Sequence, residues 1–98
     1  MKPTLDPVAW HVMDATADDW ESVEQIIPDV ERWLGPQDRQ EIEIVIQVLL
    51  EKGLFEIMPL ASPSTRGTPS DIRPLWFGMT TEGRRLWDRD GAFYRNEK

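Results

Sequence analysis

The feature that most constrains the fold is one amphipathic segment that begins at Asp38 and ends at Gly53. Aspartate is a good helix N-cap, and a glycine after the last turn commonly terminates a helix. At 100° per residue, one arc of this segment holds the apolar side chains of Ile42, Val45, Ile46, Leu49 and Leu50. The alternating residues 55–57 follow at once and predict a half-buried strand. A long helix that leads directly into a strand predicts an α+β domain.

Two shorter helices are expected before this segment. Asp6 is followed by proline, which suits the first helical position, so we predict a helix from there to about Ala15. Asp18 begins a second capping pattern, and apolar spacing then continues to Leu34. Because proline cannot donate a backbone hydrogen bond, Pro28 predicts a kink or a break within this second helix.

The last third of the chain predicts a second strand and a final helix. Glycine, proline and serine concentrate at residues 61–74, which predicts a long mobile loop. A strand is expected at 75–79, after which Thr80 or Thr81 can cap a C-terminal helix. The tail at 91–98 is expected to be mobile.

Length and composition predict one domain over residues 1–98. With 40% hydrophobic and 30% charged residues, the composition is that of a globular domain. The absence of cysteine excludes a disulfide framework, a thiol nucleophile and any cysteine-containing metal site. No apolar run of about 18 residues occurs, so we expect a cytoplasmic protein without membrane contact.

The sequence carries no recognisable catalytic motif. His11 is the only histidine, and no serine lies in a nucleophile motif, so no catalytic triad is expected. The run 88–91 resembles a fragment of a calcium loop but lacks the remaining ligands. No glycine-rich phosphate loop is present. We therefore predict no enzymatic activity, no metal, no cofactor and no identifiable small-molecule ligand.

The order of predicted elements, with two local runs, resembles the winged helix-turn-helix superfamily. Residues 48–57 look like the end of a recognition helix that turns at glycine into the first wing strand. Residues 76–87 resemble the second wing strand and the T-x-x-G-R helix start of MarR-like and PadR-like regulators, here Thr80, Gly83 and Arg84. The resemblance covers about residues 5–90. It implies three N-terminal helices, a two-stranded β-hairpin wing and a C-terminal helix.

Charge is distributed unevenly along the chain. Residues 1–60 carry a net charge of −9, whereas residues 61–98 carry +2. The resemblance implies that the helix at 38–52 would enter the DNA major groove. The start of that helix carries three acidic residues and one arginine, which together repel phosphate. Nucleic acid is therefore a disfavoured partner.

Two functions other than protein binding stay open from the sequence. A DNA-binding transcriptional regulator would read base edges through Arg39 and Gln40. It would contact phosphate through the loop and C-terminal arginines Arg66, Arg73, Arg84 and Arg85. The acidic first 60 residues would also suit an inhibitor or immunity-type protein that mimics DNA.

A protein-interaction module, acting as a homodimer or with another protein, is the first choice. Ile44 and Val48 project away from the apolar arc of their helix, so either another element covers them or they form the centre of an interface. Trp10 and Met13 share the side of the first helix opposite Val8 and Val12, and Trp33 flanks the apolar stripe of its own helix. They are either core anchors or interface residues, because tryptophan is enriched at binding hot spots.

Overall fold

Four helices and a three-stranded sheet form the described part of the chain, residues 3–58, 72 and 74–95 of a computed structural model. The elements follow in the order α1 Pro7–Ala15, β1 Glu21–Ser22, α2 Val23–Leu34, α3 Arg39–Glu51, β2 Phe55–Ile57, β3 Trp76–Met79 and α4 Thr81–Tyr94. The architecture is therefore α+β, as the sequence predicted.

The sheet has three antiparallel strands in the order β1-β3-β2. Phe55 pairs with Met79 and Ile57 pairs with Phe77, which gives the expected hairpin. The expectation of two strands was incomplete, because Glu21 also pairs with Phe77 from the other side of β3. Two residues are too few to show strand alternation in a sequence, so β1 gave no local signal.

Three of the predicted helix starts are confirmed. The side chain of Asp6 accepts a hydrogen bond from the Ala9 N–H at 2.8 Å, and that of Asp38 accepts one from the Gln40 N–H at 2.9 Å. Thr80, rather than Thr81, is the N-cap of α4. Each of these side chains satisfies a backbone donor that has no partner inside its own helix.

The start of α2 differs from the prediction. Asp18 does not cap this helix; Ser22 is its N-cap, and the Gln25 side chain accepts from the Ser22 N–H at 3.1 Å. The capping pair therefore lies four residues later than expected, because the intervening chain pairs with β3. Pro28 does not divide the helix, which is continuous from Val23 to Leu34.

All four helices and the sheet contribute to one hydrophobic core. Its fully buried side chains include Val12, Met13, Val23, Ile26, Val30, Ile42, Ile46 and Phe77. Ile72, inside the predicted loop, is also buried in this core, whereas the rest of residues 61–74 except Pro74 lies outside the described residues. None of the described helices has the length and apolarity that a membrane crossing requires.

The C-terminal boundary was predicted too early. The helix α4 extends to Tyr94, and both Gly91 and Tyr94 are buried, so these residues belong to the packed helix and not to a tail. Residues 96–98 lie outside the described residues. The helix continues because its last turn packs on α1: the ring of Tyr94 stacks on that of Trp10 at a centroid distance of 5.2 Å.

The end of α3 and the start of α4 are joined at Thr80. Its hydroxyl donates to the Gly53 carbonyl at 2.6 Å and accepts from the Gly83 N–H at 2.9 Å. Gly53 has a φ of 74°, which favours glycine. The missing side chain of Gly83 lets α4 approach the Leu54 backbone closely. These contacts fix the turn after α3 against the start of α4, and a groove lies beside this junction.

Candidate functional site

A mostly apolar groove of about 460 Å³ lies beside α3. Its lining comes from the N-terminal segment, α1, α3, the turn after α3, and α4: Thr4, Leu5, Asp6, Ala9, Ile44, Val45, Val48, Leu49, Lys52, Leu54 and Leu86. We refer to it as the α3 groove. A second, smaller concavity adjoins it, since both are lined by Leu54 and Leu86.

The α3 rim of the groove exposes two large aliphatic side chains. Ile44 is 51% exposed and Val48 is 39% exposed, and they lie one helical turn apart. Their exposure contradicts the explanation that another helix or the hairpin base covers them. Isolated exposed aliphatic residues are ordinary, but a pair that continues into an apolar groove is typical of a binding surface.

The opposite wall of the groove is held in place by buried polar contacts. The carboxylate of Asp90 accepts from the Leu5 N–H at 2.7 Å, and the Tyr94 hydroxyl donates to the Leu5 carbonyl. The guanidinium of Arg89 donates to the Thr4 hydroxyl at 2.7 Å. The N-terminal segment is thus fixed to α4, which gives the groove a defined shape before any partner binds.

The structural role of Asp90 was not predicted from the sequence. One signal was available: Leu86, Asp90 and Tyr94 follow one another at intervals of four, so the aspartate lies on a helical face with two large side chains. An aspartate on such a face is rarely buried without a partner. The identity of that partner, the Leu5 backbone, was not visible because it lies 85 positions away.

Charged residues lie at both ends of the exposed pair on α3. Glu41, Ile44, Val48 and Glu51 are spaced by three, four and three residues, so they form one stripe along the helix. All four are exposed, as is Lys52 at the end of α3. Within the described ranges, Glu41 and Glu51 make no ion pair. The stripe is therefore apolar at its centre, with Glu41 at one end and Glu51 beside Lys52 at the other.

Trp10 and Met13 are buried inside the chain and therefore do not form part of a surface that a partner could contact. Trp10 is only 3% exposed, and its indole N–H donates to the Trp87 carbonyl at 3.0 Å. Met13 is fully buried. Of the two alternatives, these two residues are therefore core anchors, because α1 packs against α2, α3 and α4, so that its second face is buried as well as its first.

Trp33 is exposed, but it does not join the α3 groove. It is 44% exposed, and its ring stacks on His11 at a centroid distance of 5.9 Å. It lines a separate concavity of about 580 Å³ that is rich in acidic residues: Asp14, Asp18, Asp19, Glu21 and Asp29, with Arg32 and Arg95. The structure therefore separates Trp33 from Ile44 and Val48.

The acidic concavity contains groups that already contact one another. The pKa of Glu21 is raised above its usual value by burial and by the charges of Asp19 and Asp29. The indole N–H of Trp87 donates to Asp14 at 3.1 Å, and the Arg95 guanidinium lies over the Trp87 ring at 4.5 Å. In the part of the chain that the structure describes, no cluster of acidic or histidine side chains is arranged to hold a metal ion.

Arg39, the candidate base-reading residue, is held by two carboxylates. It donates to both carboxylate oxygens of Glu24 and, through Nε, to Glu43 at 3.0 Å. These hydrogen bonds raise the pKa of Arg39 and lower that of Glu24. Gln40 is exposed beside it. The charge of Arg39 is thus compensated within the chain, which weakens its attraction for phosphate.

Of the four other candidate phosphate contacts, the structure describes two, which lie on α4. Arg84 donates to the Ala17 carbonyl at 2.9 Å, and Arg85 lies 3.4 Å from a Glu82 carboxylate oxygen. Arg66 and Arg73 lie outside the described residues. The structure therefore shows no joint phosphate-binding cluster among the candidate arginines that it describes.

Comparison with protein-family models, curated proteins and solved structures finds no match to this chain. Function is therefore inferred from the geometry of the described surfaces. Of the two concavities compared above, the acidic one is lined by groups that contact one another. The α3 groove combines exposed aliphatic side chains with a fixed opposite wall.

Proposed function

We propose that this chain is a non-enzymatic protein-interaction module of winged-helix type, which binds a partner protein through the α3 groove. The observation that carries the proposal is the exposure of Ile44 and Val48 at the rim of that groove. Removing apolar surface from water contributes about 25 cal/mol per Å², so covering this pair and the groove floor favours association. A groove that is already formed reduces the entropy lost on binding.

The winged-helix part of the proposal is supported by the order and pairing of the elements. Three helices precede the β2-β3 hairpin, and α3 leads into β2 through a turn at Gly53. A fourth helix then begins at Thr80. This arrangement agrees with the family resemblance of residues 48–57 and 76–87.

Charge favours protein over DNA as the ligand of α3. The first turn contains Arg39, whose charge is compensated by Glu24 and Glu43, and an exposed Glu41. Most of the affinity of DNA-binding proteins comes from uncompensated cations near phosphate. An apolar pair between acidic residues suits a protein surface better.

The substitution Ile44→Glu tests the proposal. It places a charge at the centre of the groove rim while leaving the buried arc of α3 intact, so we expect loss of partner binding without loss of fold. Trp33→Glu is the matched control, since it adds the same charge at an exposed aromatic residue away from the groove. Oligomeric mass by light scattering, and capture of partners followed by quantitative mass spectrometry, measure the effect. Equal association by wild type and Ile44→Glu would refute the proposal.

A titration with a generic DNA duplex tests the alternative function of a transcriptional regulator. Tryptophan fluorescence is the signal, because Trp33 and Trp76 are exposed. We expect no saturable change at about 50 mM salt, where non-specific DNA binding is strong. Saturable binding that weakens steeply by about 200 mM salt would instead favour the regulator. A gel shift with the same duplex provides an independent check.

A further inference from the structure

We propose that the partner of the α3 groove is an amphipathic α-helix whose apolar face is flanked by lysine or arginine residues. This inference rests on the proposed function and specifies the chemistry of the partner. It depends on three properties of the described surface: the spacing of the exposed aliphatic pair, the charges at its two ends, and the effect of symmetry on those charges.

The spacing of the apolar residues suits a helical ligand. Ile44 and Val48 lie one turn apart on the groove rim, and Leu49 and Leu54 also line the groove. An amphipathic helix presents apolar side chains three and four residues apart, which is the spacing of this exposed pair. Binding of such a helix in an apolar groove is a recurrent mode of peptide recognition.

The charges around Ile44 and Val48 favour a basic ligand. Glu41 and Glu51 are exposed at the two ends of the stripe, and Lys52 is the single exposed cation on that rim among the described residues. On the α4 side, Arg85 lies 3.4 Å from Glu82 and Arg89 lies 3.8 Å from Asp90, so these cations already have acidic neighbours. The net charge of −7 adds long-range attraction for a basic partner.

Symmetry disfavours a second copy of this chain as the partner of α3. A twofold axis that brings two α3 stripes together antiparallel around Ile44 and Val48 places Glu41 opposite Glu51 of the other copy. A parallel arrangement places each glutamate opposite itself. Like charges in contact across an interface are destabilising, so these glutamate contacts oppose self-association through the stripe in either arrangement. In the antiparallel arrangement, Lys52 beside Glu51 offsets part of this repulsion.

Two synthetic helical peptides of equal length test the inference. Both carry the same leucine face with i, i+3, i+4 and i+7 spacing; one has lysine and the other glutamate at the flanking positions. Fluorescence anisotropy of each labelled peptide with the full chain gives its affinity. We expect the lysine-flanked peptide to bind at least about tenfold more tightly, because it gains charge pairs that the other peptide replaces with like-charge contacts.

Variants of the full chain test whether the glutamates of the α3 stripe cause the difference in peptide affinity. Glu41→Gln with Glu51→Gln should weaken the lysine-flanked peptide about fivefold, the change expected for two exposed ion pairs. The control, Asp18→Asn with Glu56→Gln, removes two exposed negative charges that lie outside α3 and its stripe. It should leave the affinity within about twofold.

Failure of the inference differs from failure of the proposed function. Equal affinity for both peptides, with both lost in Ile44→Glu, would overturn the basic partner but leave docking in the groove. No binding of the lysine-flanked peptide to the wild-type chain would overturn the inference alone, whereas peptide binding unaffected by Ile44→Glu would overturn both. A concentration-dependent doubling of mass that Ile44→Glu abolishes would identify a second copy as the occupant and overturn the inference alone.

Discussion

Gly83 lies against the backbone of Leu54 more closely than a side chain allows. A Cβ there would overlap the Leu54 carbonyl oxygen and lie 2.8 Å from its carbonyl carbon. Alanine gains about 1 kcal/mol in helix propensity, but overpacking costs about 1–3 kcal/mol and sometimes more. We expect Gly83→Ala to lower the free energy of unfolding by about 1–2 kcal/mol in urea denaturation.

Gly91 provides the control for this prediction within the same helix. The three atoms nearest to a Cβ at Gly91 all belong to the guanidinium end of Arg95, a flexible side chain that can move aside. We therefore expect Gly91→Ala to be as stable as the wild type or slightly more stable. If Gly83→Ala and Gly91→Ala had the same free energy of unfolding, the close approach of Gly83 to Leu54 would not constrain α4.

Asp90 fixes the wall of the groove, so replacing it should lower the free energy of unfolding. Asp90→Ala leaves the buried Leu5 N–H without its acceptor, so we expect a loss of about 1–3 kcal/mol in the free energy of unfolding. Hydrogen exchange at the Leu5 amide should accelerate at the same time. Asp88→Ala is the control, because that side chain is exposed and 3.7 Å from Arg95; it should change stability by less than about 0.5 kcal/mol. Unchanged exchange at Leu5 in Asp90→Ala would contradict the assignment.

At the scale of elements, the Glu24–Arg39 pair connects α2 to α3 and should make their packing sensitive to pH. The hydrogen bonds from Arg39 hold the pKa of Glu24 below its usual value of 4.5. The contribution to stability is therefore complete above about pH 4.5 and is lost as the pH falls through the lower pKa of the folded state. Glu24→Gln should lower the Tm at pH 7 by a small amount, and this difference should shrink as the pH falls below 4.5.

Thermal unfolding followed by circular dichroism across this pH range measures the effect. Glu56→Gln on β2 serves as the control, because Glu56 is exposed and no ion pair within the described residues involves it. A difference in Tm between wild type and Glu24→Gln that stayed constant from pH 7 to pH 3 would show that the charge of Glu24 does not contribute.

The elements that the sequence predicted correctly are those with local signals. Caps such as Asp6 and Asp38 contact backbone groups two or three residues away, and the arc of α3 is a property of α3 alone. The strand β1 was missed because its pairing with Phe77 joins residues far apart in sequence. The length of α4 was missed for the same reason, since Tyr94 is held by α1 and by Leu5.

In the candidate site, too, the residues that were predicted are those with a local signal in the sequence. Ile44 and Val48 were found because they deviate from the apolar arc of their own helix. The opposite wall of the groove, where Leu5 contacts Asp90, depends on residues 85 positions apart and had no local pattern. For Trp10 the choice between core and interface stayed open, because the sequence does not show how many other elements pack against a helix.

At the scale of the whole molecule, the net charge of −7 should affect the two kinds of association in opposite directions. Two copies repel each other, whereas a lysine-flanked helix is attracted, and salt weakens both effects because the Debye length falls from about 10 Å at 0.1 M to about 3 Å at 1 M. Raising NaCl from about 0.05 M to about 0.5 M should therefore weaken peptide binding several-fold and favour any self-association.

Anisotropy of the lysine-flanked peptide and sedimentation equilibrium of the chain alone, on one preparation, measure the two responses to salt. A peptide with glutamine at the flanking positions is the control, and its affinity should change little because it offers no charges to the groove. Ile44→Glu should abolish any mass increase that appears at high salt, since that increase would require contact between the apolar rims. If high salt instead weakened self-association, as it weakens peptide binding, attraction between opposite charges of the two copies would hold the dimer together. Repulsion between the glutamates of the two α3 stripes would then not be what limits self-association.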